Sequence, residues 1–321
     1  MHTFHIDGLD HELRVNRFEG HEGLSQLFQF DIIVACKAND VAFDNAVGNT
    51  ALLTFRVGEE PRHVHGIVAS FEQGEEGKTL TAYRAVLVPA VFRLQYRRDS
   101  RIFQGLAVPD IIKKVLTAAG VPGDGYRLSL RGSYAPREYC VQYRESDWAF
   151  ISRLMEEEGI AYHFEHTDAN HVLVLVDSAS AYPAVAGDAT LVFRPPSGAL
   201  VKGEHVSQFR YVERIRPGKV TLRDYNFKKP SLLLEGKGQA PVDDDLEIYD
   251  YPGEYDAPGP GTALAKVRLE ELQASRKTAE GESACARFAP GTTFTMAEHP
   301  RDDFNREFLI LRVDHHATSP T

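Results

Sequence analysis

The sequence predicts an α+β protein that is mainly β, with two strand-rich regions flanking a compact α+β insert. Runs of aromatic and β-branched residues recur up to about residue 95 and again after about residue 185. Between them stand two amphipathic stretches with helix start and stop signals, followed by a hairpin pattern. The length suits two or three packed units.

In the first region, residues 1–95, strand patterns cover Leu27–Val34, Leu52–Val57, Val64–Phe71 and Leu80–Val88, with Gln73–Lys78 as a hairpin loop. Several short strands at this spacing suggest a small barrel or sandwich. The insert, residues 96–185, opens its first helix with Pro109 in the first turn and Asp110 near the positive end, and stops at Gly120. Ile111, Ile112, Val115, Leu116 and Ala119 share one face. A second helix starts behind Ser146, a good capping residue, and ends at Gly159. Its buried stripe is expected to be Trp148, Ile151, Leu154 and Met155. Strands Ile160–Glu165 and Val172–Val176, joined by Thr167–Asn170, complete the insert.

The last region, residues 186–321, has strand patterns at Val206–Ile215, Val220–Tyr225, Thr292–Met296 and Phe308–Val313. Its middle, about 237–280, holds an acidic connector, Asp243–Tyr255, and a helix from Thr262 to about Ser275 with Leu264, Val267 and Leu272 apolar. The connector's prolines, glycines and like charges predict irregular backbone.

Net charge is −10 with acids and bases interspersed, and the absence of any lysine or arginine run argues against nucleic acid as a partner. The opening peptide Met1–Asp7 lacks the basic start and apolar core of a signal peptide, and no stretch approaches the roughly 18 apolar residues of a membrane span. Synthesis and retention in the cytosol follow, unless a dedicated machine exports the chain. Cys36, Cys140 and Cys285 are widely spaced, as suits small core residues in a reducing compartment.

The chain carries no G-x-S-x-G elbow, H-E-x-x-H, Walker loop or C-x-x-C, so the expectation is no enzyme, no catalytic residues and no cofactor. His63 and His65 alternate and would share a strand face, the pattern either of a metal pair or of plain surface decoration. Glu156, Glu157 and Glu158 at a helix end diverge by about 100° each, which suits a solvated acidic terminus better than paired glycosidase acids. Tyr249, Tyr251 and Tyr255, in the connector, are the candidates for a partner interface.

The stretch Cys140–Phe164 carries Gln142-Tyr143, Glu145-Ser146-Asp147-Trp148 and Arg153-Leu154-Met155-Glu156-Glu157-Glu158-Gly159, leading into a strand. It resembles the hallmark of the VgrG family of type VI secretion spikes, also called Rhs-element Vgr proteins. That family is related to phage tail-hub and late-control D proteins. Gly20–Ser25 with Phe28–Phe30, Phe103–Gly105 before the Pro109 helix, Tyr249–Gly253, Arg268–Glu271 and Phe288–Gly291 through His299-Pro300 extend the resemblance over essentially the whole chain.

The resemblance implies a structural hub with two small tube-like β-barrels per chain. Three chains would form a homotrimer whose pseudo-six-fold ring meets a hexameric Hcp tube and baseplate proteins. Such a hub couples the tube to the membrane-puncturing needle; it is assembled in the bacterial cytoplasm and then secreted by the type VI machine. Needle, PAAR-binding tip and effectors are expected to lie outside these 321 residues. A baseplate-associated peptidoglycan hydrolase is the alternative, and it requires two suitably spaced carboxylates in a cleft.

Overall fold

Six strands near the chain's start close into an antiparallel barrel in the computed structural model, which describes residues 2–56, 61–77, 79–196 and 203–319. Met1, Val57 and Lys78, which the sequence assigns to the opening peptide, a strand end and a hairpin loop, lie outside those residues. The strands are β1 (Thr3–Ile6), β2 (Leu13–Gly23), β3 (Gln29–Cys36), β4 (Thr50–Arg56), β5 (Pro61–Glu76) and β6 (Thr81–Val88). Their order is β1-β4-β5-β6-β3-β2, and a β1–β2 pairing closes the ring.

Alternation of side chains decides what fills this barrel. Leu13 and Val15 point inward from β2; a register shift between Val15 and Arg17 then resets the phase, so that Phe18, Gly20 and Glu22 face in. Phe30, Ile32 and Val34 of β3, Leu53 and Phe55 of β4, and Val64 and Val68 of β5 meet them in one core. Gly20 is required there, because a Cβ would fall 2.2 Å from the Phe30 ring. Burying an aromatic or branched side chain of this kind contributes about 1.5–3 kcal/mol.

The insert follows, with β7 (Arg98–Phe103), α1 (Val108–Ala118), β8 (Tyr126–Ser129), β9 (Cys140–Ser146), α2 (Asp147–Glu157), β10 (Ala161–His166) and β11 (His171–Val176). β7 and β9 form a two-stranded ribbon; β10, β11 and β8 form a small sheet with β11 in the middle. Pro109 sits in the first turn of α1, whose Ile111, Ile112, Val115 and Leu116 are fully buried. Ser146 caps α2, its hydroxyl accepting the Ala149 N–H at 3.1 Å. S146A is expected to lower stability by about 1 kcal/mol in urea unfolding; an unchanged midpoint would mean that water replaces the cap. The α2 stripe differs from expectation at one place. Phe150 is fully buried, whereas Trp148 is only partly covered and meets Tyr162 edge-on.

Two buried polar groups tie the ribbon to α2. Asp147 accepts from Arg97 Nε at 3.0 Å, from Gln142 Nε2 at 2.9 Å and from Arg101. Arg101 also donates twice to Gln142 Oε1, at 2.9 and 2.7 Å.

The remaining strands are β12 (Thr190–Val192), β13 (Val206–Glu213), β14 (Lys219–Asp224), β15 (Leu234–Gln239), β16 (Glu247–Asp250), β17 (Lys277–Ser283), β18 (Thr293–Ala297), β19 (Glu307–Leu309) and β20 (Arg312–Thr318), with α3 (Pro258–Gln273) before β17. Among the described residues all but β20 are divided among small sheets: β12-β18-β19, β13-β17 and β15-β14-β16, with a Phe193–Val206 bridge linking the first two. One core gathers Leu191, Val206, Phe294 and Met296; another gathers Val220, Leu222, Leu234 and Tyr255 under α3. Gly236 permits that second packing, since a Cβ would stand 2.1 Å from the Gly261 carbonyl oxygen.

Three local expectations change. The connector Asp243–Tyr255 is not wholly irregular. β16 pairs parallel with β14, and Glu247 is held there by Lys219 at 3.1 Å and Thr221 at 2.6 Å. α3 begins at Pro258, a turn before Thr262, because proline fits the first turn of a helix. Phe308–Val313, read as one strand, breaks after Leu309. β19 stays with β18, whereas β20 crosses back to pair with β2 of the first barrel over Arg17–Gly23.

Candidate functional site

The return of β20 brings together a buried polar cluster where the barrel, the insert's hairpin and the chain's last strand meet. Glu22 of β2 lies 5% exposed and accepts from Arg62 of β5, with Nη2 at 2.7 Å from Oε1 and in contact with Oε2 as well. His315 Nε2 of β20 donates to Glu22 Oε2 at 3.1 Å, while its ring stacks on Phe30. Arg62 Nη1 donates to the carbonyls of Phe288 and, at 3.4 Å, Ala286. Burial alone would raise the Glu22 carboxyl, but the Arg62 guanidinium and His315 hold it down at about 2.

A second layer is made of imidazoles. His166 of β10 accepts the His65 N–H on Nδ1 at 3.2 Å and turns Nε2 toward Glu22 Oε1, 4.0 Å away. His171 of β11 accepts the Ala90 N–H on Nε2 at 3.0 Å, so its neutral ring carries the proton on Nδ1 and donates to His65 Nδ1 at 3.0 Å. Burial drives His166 down to about 4; burial and the neighbouring histidines drive His171 down to about 3. Both are neutral at pH 7. Each ring nitrogen with an N–H facing it must keep its lone pair, so the cluster works as a clamp between strands.

The sequence candidates fall as follows. His63 and His65 do share the outer face of β5, but they have different partners: His63 Nδ1 lies 3.1 Å from Thr54 Oγ1, and His65 joins the clamp. Among the described residues no three His, Cys, Asp or Glu side chains gather in a metal-ligating group. Glu157 and Glu158 both bind Arg137, at 2.7 and 2.8 Å, rather than facing each other across a cleft. Tyr249 and Tyr251 are 58% and 57% exposed, and border a cavity of about 410 Å³ with Tyr225 and Leu233. Tyr255 differs from the exposed tyrosine expected. It lies in the core under α3, donating to the Leu222 carbonyl at 2.7 Å and accepting the Gly236 N–H at 3.0 Å.

Sequence reading assigned no role to Glu22, Arg62, His166, His171 and His315. A signal existed for three of them: Glu22, Arg62 and His315 occupy the inward phase of their strands, in line with Phe18, Val64 and other core residues. The two hairpin histidines carry no such mark.

A family model described as phage tail baseplate hub (GPD) matches residues 21–321. The chain belongs to the phage tail baseplate hub family. This hub chain is 37% identical over 319 residues to the type VI secretion system spike protein VgrG4b of Pseudomonas aeruginosa, covering 98% of the chain and 39% of that protein. It is 33% identical over 334 residues to VgrG3 of Vibrio cholerae, covering 98% of the chain and 32% of that protein. The hub chain thus spans well under half the length of these relatives. In fold it is similar to the Escherichia coli c3393 protein, a type VI secretion component (TM-score 0.76, 22% identity, 98% of this chain and 73% of that chain). The Shewanella oneidensis prophage MuSo2 43 kDa tail protein is also similar (TM-score 0.66, 13% identity, 99% and 94%).

Proposed function

We propose that this chain is the hub part of a type VI secretion spike, a homotrimer that couples the Hcp tube and baseplate proteins to the needle and is secreted with it. The observation that carries the reading is the similarity to named spike proteins over 98% of the chain. The role is mechanical rather than catalytic. The fold supports this, since the buried Glu22, Arg62 and His315 are bound to one another, and His166 to the His65 N–H, and hold strands together. Residues 1–95, 96–185 and 186–321 are its three parts, the first and last of them tube-like units, with β20 returning to the first. The polypeptide is made in the cytoplasm and leaves by the machine itself.

Light scattering over a concentration series tests the reading, first alone and then with hexameric tube protein. The expected mass is roughly three times 35.8 kDa, and the trimer should form a complex with the hexamer. A chain that stays monomeric at every concentration and ignores the hexamer would overturn it.

A further inference from the structure

Two exposed aromatic surfaces of opposite charge remain once the cores and the buried clamp are accounted for. The first is the outer edge of β16. This strand pairs with β14 on one side only, which leaves a row of backbone donors and acceptors on the other. Tyr249 and Tyr251 stand out beside the 410 Å³ cavity. From Asp243 to Asp256 the chain has no lysine or arginine. Asp243 is paired with Arg276 and Glu247 with Lys219, but among the described residues the side chains of Asp245, Asp250 and Glu254 have no cation in reach.

The second surface is the outward face of the β7–β9 ribbon. Arg101 and Gln142 point in, toward Asp147; Ile102 and Tyr143 point out, 59% and 66% exposed, with Tyr96 and Tyr139 flanking them at 79% and 56%. Arg98 and Arg144 are exposed, and among the described residues neither meets a carboxylate; the Arg144 guanidinium lies over the Tyr143 ring, 5.3 Å from its centroid. Isolated apolar residues at a surface are ordinary, but several large ones grouped with unpaired charges of one sign mark a contact surface.

We infer that the acidic edge of β16 on one copy docks on the basic outer face of the β7–β9 ribbon of the next copy. A two-fold contact through either surface alone would set like charge on like charge. Opposite surfaces meeting head-to-tail avoid this, and a head-to-tail contact generates a closed ring when its rotation permits. Unpaired aspartates then meet unpaired arginines while the tyrosines of both faces are covered, which fits the preference of interface cores for Tyr and Arg. The inference rests on the trimeric reading above and names the surfaces that would build the trimer.

The test is a concentration series by light scattering on the full chain, on D245K/D250K, on R98E/R144E and on all four changes combined. Each pair of reversals should raise the half-assembly concentration about tenfold or more, and the fourfold variant should recover most of the loss. All these positions are exposed, and unchanged melting curves establish that the variants fold. If both pairs assemble as the original chain does, the docking inference is wrong and the trimeric reading stands. If both weaken assembly but the combination recovers nothing, the two surfaces do not face each other. A chain monomeric throughout overturns the trimeric reading and this inference together.

Discussion

Arg62→Ala is expected to destabilise the chain by about 3–5 kcal/mol, because removing one partner of a buried pair strands the other. Glu22 would remain a carboxylate only 5% exposed, with His315 as its remaining close donor among the described residues. The Ala286 and Phe288 carbonyls would lose a guanidinium donor at the same time. The loss is therefore larger than an exposed ion pair would give, where values of 0–1 kcal/mol are usual. Replacing both partners with apolar side chains, as in E22L/R62M, should cost far less, since no charge is then left buried. Urea unfolding of the three proteins checks this. A shift below about 1 kcal/mol for R62A would show that Glu22 gains solvent in the folded state and that the clamp is not closed.

Acid should act through the imidazole layer before it reaches the carboxylates. His166 and His171 titrate at about 4 and about 3 when folded, below the ordinary 6.5 that they have when unfolded. Across that window the unfolded chain binds more protons, so stability falls as pH falls from about 6.5 toward 3 to 4. Each depressed pKa unit is worth about 1.4 kcal/mol, and between pH 7 and pH 5 the two rings together remove about 3–4 kcal/mol. Protonation neutralises Glu22 instead of charging it, but the direction of loss is the same. Its folded value of about 2 lies below 4.5, so its contribution is intact above 4.5 and disappears as pH falls toward 2. Unfolding midpoints measured from pH 7.5 to 5 should slope downward, and H166F/H171F should flatten the slope. A flat profile in the original chain would mean that the hairpin histidines are already solvated.

Helices were legible in the sequence because their signals are local. Pro109, Ser146 and Gly159 act within a turn of where they sit, and the structure puts α1 and α2 at those marks. Strand existence was legible for β3, β4, β5 and β6, through their aromatic and β-branched runs, but not for β2. Partnership was not, because nothing in Arg312–Thr318 tells that its partner is Arg17–Gly23 rather than a neighbour in the chain. The clamp depends on that pairing, so only the inward phase of Glu22, Arg62 and His315 hinted at it. The connector tyrosines show a related limit. Tyr249, Tyr251 and Tyr255 look alike in composition, but Glu254 takes a positive φ of 59° and its N–H binds Asp224 Oδ2 at 2.6 Å. That turn sends Tyr255 back over β14 into the core while the other two stay outside.

The β2–β20 pairing also sets a clock for folding. His21 and Asp314, bonded at 2.7 Å across it, are 293 residues apart in the chain. At roughly 5–20 residues per second a ribosome needs about 15–60 s to make the stretch between them. Throughout that interval Arg17–Gly23 is an open strand edge, the kind of surface on which nascent chains stick to one another. Glu22 meanwhile has Arg62 within reach but not His315. The barrel whose strands are synthesised first is therefore among the last parts of the molecule to be finished.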